Sequence, residues 1–175
     1  MISKKLLSSQ ILKLIKDFKK EHIEIFDIVI YGSVVRNKLK VNDIDIAIIF
    51  LNREKLEKKL KLSQELRAKV SKVIDYDIDV KGVDVYDLMD KSFLAKNAVI
   101  SEGFLIIKKK FLHEIFGFKN YYIFSYSLKN LNNSNKVMFQ YALNGRRGET
   151  GMLKDTNSIQ LGKGVIKVPL EHTEE

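Results

Sequence analysis

Apolar positions in residues 1–110 alternate between helical and strand spacing. Residues 4–20 carry apolar side chains at every third or fourth position with lysines between them, which predicts an amphipathic helix. The segment "IEIFDIVIY", residues 23–31, is rich in β-branched and aromatic residues and predicts a strand. The patterns then predict a strand at 43–50, a helix at 53–73, a strand region at 76–87, a helix within 88–101 and a short strand at 104–107. With one or two helical turns at 33–40, the predicted order is α-β-α-β-α-β-α-β.

This order predicts an α/β or α+β domain with a mixed sheet and helices packed mainly on one face. Beyond residue 110 the pattern changes, because six of the nine glycines lie at or after Gly117. The elements predicted there are a strand at 121–127, a helix at 134–143, a basic loop at 144–151 and a strand at 164–168. We therefore expect one domain over residues 1–110 and a small, basic, Gly-rich α+β module without an assigned role over 111–175. The chain stops where a further helix could begin, so we expect this module to be truncated there.

Composition narrows the classes of partner and compartment. The net charge of +9, from 31 basic and 22 acidic residues, favours polyanions such as nucleotide phosphates or nucleic acid, although a lysine-rich solvated surface would give the same excess. The absence of cysteine excludes disulfides and suits a reducing compartment, and the three histidines lack the spacing of zinc ligands. Without a signal peptide or a membrane-length apolar run, a cytoplasmic protein that does not contact membranes is expected. The oligomeric state stays open.

Two aspartates interrupt a segment that otherwise predicts a buried strand. In "DIDIAIIF", residues 43–50, Asp43 and Asp45 project from one face while Ile44 projects from the other. Two carboxylates this close repel each other unless a cation lies between them or one of them binds a proton. Oxygen ligands favour a hard divalent ion, Mg²⁺ foremost. The alternative is that both aspartates begin an edge strand after a turn and face water.

A glycine–serine turn follows the preceding strand. Gly32 allows a phosphate to approach the backbone, and Ser33, at the start of a helical turn, offers its hydroxyl and free backbone N–H groups to an anion. An anion cradle beside a carboxylate pair is what metal-assisted phosphoryl or nucleotidyl transfer requires.

Gly32-Ser33, nine intervening residues and then Asp43-Ile44-Asp45 resemble the signature of the polymerase-β-type nucleotidyltransferase superfamily, and most of all its minimal, antitoxin-like nucleotidyltransferases. The resemblance covers residues 10–108. It implies that Gly32 and Ser33 hold the β- and γ-phosphates of a nucleoside triphosphate, and that Asp43 and Asp45 bind Mg²⁺. Arg36 would reach the phosphates if the 33–40 helix forms, although a surface arginine is an equal alternative.

The family also implies a third carboxylate from the neighbouring strand, which completes the metal site and helps to deprotonate the attacking hydroxyl. We favour Asp84, which lies between Val83 and Val85 and precedes Glu102-Gly103 at a distance typical of the family. Asp79 is the rival. The two lie on opposite faces of any unbroken strand, and a bulge at Gly82 could reverse the choice.

The resemblance therefore implies a Mg²⁺-dependent nucleotidyltransferase that moves a nucleoside monophosphate, AMP from ATP foremost, to a hydroxyl acceptor and releases pyrophosphate. The acceptor would lie on a protein partner, such as a toxin, or on a nucleic acid. The alternative is a catalytically silent module that keeps the fold and binds nucleic acid or a partner toxin.

Overall fold

The computed structural model describes residues 8–35 and 43–172 of the chain. It divides into two compact units, residues 1–118 and 119–175. The first unit thus extends beyond residue 110, where the sequence predicts the boundary, because the residues that follow still pair with it: Lys110–Phe111 form a strand on its sheet, and the backbone N–H of Leu112 donates to the carbonyl of Gly103.

A five-stranded mixed sheet forms the centre of the first unit. Its strands are β1 (Ile25–Tyr31), β2 (Asp43–Phe50), β3 (Asp77–Val83), β4 (Phe104–Leu105) and β5 (Lys110–Phe111), in the spatial order β3-β2-β1-β4-β5. The β2 and β3 strands run parallel, and every other neighbouring pair is antiparallel. The mixed sheet predicted from the sequence is confirmed, and β3 is the outermost described strand on one side.

Helices cover both faces of this sheet. The long helices α1 (Ser9–Glu21) and α2 (Leu56–Val70) bury one apolar stripe each against the even-numbered isoleucines of β2, such as Ile44 and Ile46. Three short helices cover the opposite face: α3 (Val85–Met89), α4 (Lys96–Glu102) and α5 (Leu112–Ile115). Alternation along β2 therefore divides the apolar core into two layers, one on each side of the sheet.

The predicted strand region 76–87 ends earlier than expected, at Val83, because Asp84 begins a helix. The Asp84 carboxylate accepts hydrogen bonds from the backbone N–H groups of Tyr86 and Asp87, at 2.9 and 3.1 Å. The Asp87 carboxylate in turn accepts from the Asp84 N–H at 2.8 Å, which completes a capping box. Asp at this position satisfies the free N–H groups at the start of α3, and that requirement overrides the valine-rich strand pattern.

A buried carboxylate joins β1 to the segment after β4. Asp27 is fully buried, and its oxygens accept hydrogen bonds from the backbone N–H groups of Ile28, Ile107 and Lys108, at 2.7, 3.0 and 3.0 Å. Burial raises the pKa of Asp27, while these three bonds oppose that shift. The Asp27 side chain thus accepts from backbone N–H groups in β1 and in the segment after β4, and so connects the two.

The second unit is a small α+β module, as the sequence predicts. Its elements are β6 (Tyr121–Ser125), α6 (Asn133–Asn144), α7 (Met152–Asp155), β7 (Ile159–Gly162) and β8 (Val165–Pro169), and the antiparallel sheet has the order β6-β8-β7. The β7 strand was missing from the sequence prediction, because "IQLG" is too short and too glycine-rich to show a strand pattern.

In the part of the chain that the structure describes, no helix has the length and apolar content needed to cross a lipid bilayer.

Replacing Asp27 with asparagine should lower the free energy of unfolding by about 1–3 kcal/mol, since an amide NH₂ would face a backbone N–H that now has an acceptor. Urea denaturation of both proteins measures this difference. Asp17→Asn is the matched control: Asp17 is half-exposed and, among the described residues, pairs with the surface Lys20 on its own helix, so its loss should stay within about 0.5 kcal/mol. Equal effects of the two substitutions would contradict the structural role of Asp27.

Candidate active site

The directions of three strands bring the sequence motifs to one end of the sheet. Because β1 and β2 are antiparallel, the carboxyl end of β1 meets the amino end of β2, and Tyr31 pairs with Asp45. Because β2 and β3 are parallel, the amino end of β3 lies at the same place. The Gly32-Ser33 turn, which follows β1 directly, therefore lies beside the aspartates that begin β2.

Gly32 contacts the carboxylate of Asp45. Its φ of +76° lies in the left-handed region that favours glycine, and a Cβ atom at this position would lie 2.5 Å from Asp45 Oδ2. Two independent constraints, backbone conformation and the nearby oxygen, thus require glycine here.

Ser33 contacts the other aspartate. In the short 3₁₀ helix Gly32–Val34, the Ser33 hydroxyl lies 3.4 Å from both the carbonyl oxygen and the Oδ1 atom of Asp43. These are long, weak hydrogen bonds, so the hydroxyl is readily released to a stronger acceptor. The structure thus brings Gly32, Ser33, Asp43 and Asp45 together.

Two further carboxylates line up with this pair from β3. Asp77 is the register partner of Asp43, and Asp79 is the register partner of Asp45. Register partners in a sheet project from the same face, so four carboxylates share one face at this end of the sheet. Asp77 lies 3.6 Å from Arg67 and Asp79 lies 2.8 Å from Lys81, so both β3 carboxylates have a cationic neighbour.

Asp84, the third acid favoured from the sequence, does not lie beside these carboxylates. It follows Val83, whose register partner is Ile49, near the far end of β2. Five residues of extended chain separate it from Asp79, or about 16 Å at roughly 3.3 Å per residue.

The contacts of Asp84 instead stabilise the fold. Its carboxylate is 1% exposed, lies 2.5 Å from the ammonium of Lys59, accepts a hydrogen bond from the Glu54 N–H at 3.2 Å and caps α3. Burial acts to raise the pKa of Asp84, but the Lys59 ammonium and the backbone donors outweigh burial and lower it. The rival, Asp79, is the acid that the sheet register brings beside Asp45.

Tyr31 is a site residue that the sequence reasoning missed. As the last residue of β1 and the register partner of Asp45, it projects from the same face as the carboxylates. Its side chain is 3% exposed, and its hydroxyl has no hydrogen-bond partner among the described residues. Burial, followed by the charges of Asp45 and Asp79, raises the pKa of the Tyr31 hydroxyl. The available signal was its position directly before Gly32, in phase with the buried Val29.

Arg36, the expected phosphate ligand, lies outside the described residues. The remaining oxygen donors fit a magnesium ion by their chemistry, because carboxylates are its preferred protein ligands. Asp43, Asp45 and Asp79 are the residues that could hold it. Their oxygens do not form a group as tight as 4.8 Å, which is consistent with mutual repulsion of like charges and with the pull of Lys81 on Asp79.

A second cluster of ligand-type side chains lies elsewhere in the first unit. Atoms of Glu21, His22 and Glu65 lie within 4.8 Å of one another. The Lys69 ammonium already binds both glutamates, at 3.1 and 2.9 Å. This cluster therefore contains its own cation, and it connects the end of α1 to α2.

Three solved structures are similar over part of the chain. One from the toxin–antitoxin pair MntA–HepT is 16% identical and covers 63% of this chain and 85% of its own, with a TM-score of 0.40. One of a toxin–antitoxin with AMP-PNP is 18% identical and covers 61% and 84%, with a TM-score of 0.41. One of a tri-AMPylated HEPN toxin in complex with MNT antitoxin, from Shewanella oneidensis, is 20% identical and covers 62% and 79%, with a TM-score of 0.36. No curated protein matches the chain.

A family model matches more than half of the chain. Residues 13–111 match the family described as polymerase beta, nucleotidyltransferase. This range includes the Gly-Ser turn, all four aspartates of the shared face and the five-stranded sheet that positions them. It covers more than half of the chain and confirms the resemblance: the protein belongs to the polymerase beta nucleotidyltransferase family.

Proposed function

We propose that the protein is a Mg²⁺-dependent nucleotidyltransferase that transfers a nucleoside monophosphate, AMP from ATP foremost, to a hydroxyl acceptor and releases pyrophosphate. The observation that carries this proposal is the sheet register, which sets Asp45 between the Gly32-Ser33 turn and Asp79 on one face. An anion cradle and a set of hard oxygen ligands thus lie side by side, and membership of the family supports the same reaction.

Each residue has a role in this reaction. Gly32 lets the triphosphate approach the backbone, and the Ser33 hydroxyl exchanges its weak contact with Asp43 for a phosphate oxygen. Asp43, Asp45 and Asp79 hold Mg²⁺, which when bound neutralises phosphate charge and lowers the pKa of a coordinated hydroxyl. Asp79 is also placed to accept the proton of the acceptor hydroxyl. The acceptor oxygen then bonds to the α-phosphorus, and the bond from that phosphorus to the bridging oxygen breaks and releases pyrophosphate.

The acceptor that we propose first is a hydroxyl on a partner protein, as the resemblance to minimal nucleotidyltransferases implies. A nucleic-acid acceptor is the second candidate, because the chain carries a net charge of +9.

A catalytically silent binding module is the alternative function, and one observation favours it. Both β3 carboxylates have cationic neighbours, Asp77 with Arg67 and Asp79 with Lys81. If these contacts persist in the presence of Mg²⁺, Asp79 is not available to hold the ion or to accept a proton.

The decisive experiment incubates the purified protein with α-labelled ATP and Mg²⁺ in a cell lysate. We expect label on a protein band, and the double substitution Asp43→Ala/Asp45→Ala should lower it by more than about 100-fold, because loss of direct ligands exceeds the 10–100-fold effect of outer partners. Asp17→Ala/Glu57→Ala changes the charge equally at two acids outside the site and should leave labelling intact. Label on RNA would move the acceptor to nucleic acid. Label that persists in the Asp43/Asp45 variant would refute the assignment of these residues to the active site. If the unchanged protein labels no acceptor, the silent binding module is favoured.

Substitution of Asp79 should affect Mg²⁺ binding, and substitution of Asp84 should affect stability. Asp79→Asn should weaken Mg²⁺ binding, measured by isothermal titration calorimetry, by about 10-fold or more, with little change in unfolding free energy because Asp79 is half-exposed. Asp84→Asn should leave the Mg²⁺ affinity of the folded protein unchanged and lower the unfolding free energy by about 1–3 kcal/mol, since the buried Lys59 keeps only Asp87. The reverse pattern would restore Asp84 as the third ligand.

Gly32→Ala should disrupt the site through the Asp45 carboxylate. Gly117→Ala is a closely matched control, because Gly117 has a φ of +75° and no atom within 4 Å of an added Cβ. Both variants should lose about 1–2 kcal/mol of stability to backbone strain, seen in urea denaturation. Only Gly32→Ala should also lose Mg²⁺ affinity in calorimetry, and an equal loss in both variants would argue against the Gly32–Asp45 contact as part of the site.

A further inference from the structure

We infer that Tyr31 is a positioning residue for the carboxylates of the candidate active site: its hydroxyl donates a hydrogen bond to the Asp45–Asp79 pair as these residues close on a metal ion. The inference rests on the proposed function, which supplies the ion, and it deepens that proposal by adding a neutral donor beneath the charged ligands.

The backbone places Tyr31 for this role. It is the last residue of β1, the register partner of Asp45 and the residue directly before Gly32. Asp79 is the next register partner across the sheet, so the three side chains project from one face in a row across β1, β2 and β3.

Packing restricts the ring. Tyr31 belongs to the apolar layer formed with Ala47, Leu88 and Val99, and only 3% of its side chain is exposed. A ring held in this way loses little further conformational entropy when its hydroxyl forms a bond. The ring can therefore hold its hydroxyl in one place and orient the neighbouring carboxylates.

The Tyr31 hydroxyl could donate a hydrogen bond to a neighbouring carboxylate. It is buried and has no hydrogen-bond partner among the described residues, a condition that is unfavourable for a polar group. Its register partner Asp45 and, one strand further, Asp79 project from the same face of the sheet as the ring. A phenol hydroxyl in this position can donate a hydrogen bond to a carboxylate oxygen.

A hydrogen-bond donor at Tyr31 counteracts the repulsion between the carboxylates of the site. Carboxylates that share one face repel each other, and Lys81 competes for Asp79. A hydrogen bond from beneath favours the ionised, correctly oriented carboxylates without adding a charge that would compete with Mg²⁺. Partners of this kind typically contribute 10–100-fold to metal affinity.

Tyr31→Phe tests the inference because it removes only the hydroxyl. Calorimetric titration with Mg²⁺, using the full chain, should show about 10–100-fold weaker binding than the unchanged protein. The unfolding free energy without metal should stay equal or rise, since an unsatisfied buried hydroxyl has been removed. Tyr126→Phe is the matched control: the Tyr126 hydroxyl is also buried and without a hydrogen-bond partner in the described part of the chain, but it belongs to the second unit, so Mg²⁺ affinity should not change. Equal Mg²⁺ affinity in Tyr31→Phe and the unchanged protein would overturn the inference.

Terbium luminescence gives a second readout that does not depend on activity. The chain contains no tryptophan, so tyrosine is the residue that transfers excitation to bound Tb³⁺. Tyr31→Phe should lose most of the sensitised emission, whereas Tyr126→Phe should retain it. Because Tyr76 adjoins Asp77 at the same end of β3, both variants are compared in a Tyr76→Phe background, where equal emission would place Tyr31 away from the ion and overturn the inference.

These measurements also separate the inference from the proposed reaction. A protein that binds Mg²⁺ through a Tyr31-dependent site but labels no acceptor would refute nucleotidyl transfer and support the role of Tyr31. A protein that binds no Mg²⁺ would overturn both.

Discussion

The register between β1, β2 and β3 is the constraint on which the rest of the site depends. It is set by apolar side chains far from the acids, because a slip of one residue would turn the isoleucines of β2 away from α1 and α2 and bring Asp43 and Asp45 into the core. The two core layers thus fix which face carries the carboxylates. Burial of isoleucine stabilises an arrangement of like charges that would not assemble without it.

The acids of the first unit fall into a buried set and a partly exposed set with different roles. Asp27 and Asp84 are structural, since their oxygens satisfy backbone N–H groups and, for Asp84, the Lys59 ammonium. Asp43, Asp45 and Asp79 are at least partly exposed and lie beside the Gly-Ser turn. The oxygens of Asp27 and Asp84 accept from backbone N–H groups, whereas Asp43 and Asp79 contact side-chain donors, Ser33 and Lys81, and this difference in the type of donor separates the two sets.

The sequence was sufficient for the sheet, the long helices and the Gly-Ser and Asp-x-Asp pairing, because each has a local periodic or turn pattern. It was not sufficient for the third carboxylate. Both Asp79 and Asp84 are flanked by apolar residues, and local patterning could not tell that Asp84 would cap α3 and so end β3 at Val83. Tyr31 was missed because its ring has an ordinary core environment, and its relation to Asp79 exists only across three strands. The relation of Asp45 to Asp79 and to Tyr31 comes from long-range register, which periodicity within one segment does not contain.

The position of β3 as the outermost described strand bears on selectivity. The side chain of Asp79 is 52% accessible, so within the described ranges the proposed proton acceptor lies at the margin of the sheet. A large macromolecule can bring a hydroxyl to such a margin without any opening motion of the fold. Bulk water has the same access, and if the proposed reaction takes place there, discrimination between transfer and simple hydrolysis of the nucleotide would depend on surfaces that the acceptor itself contributes.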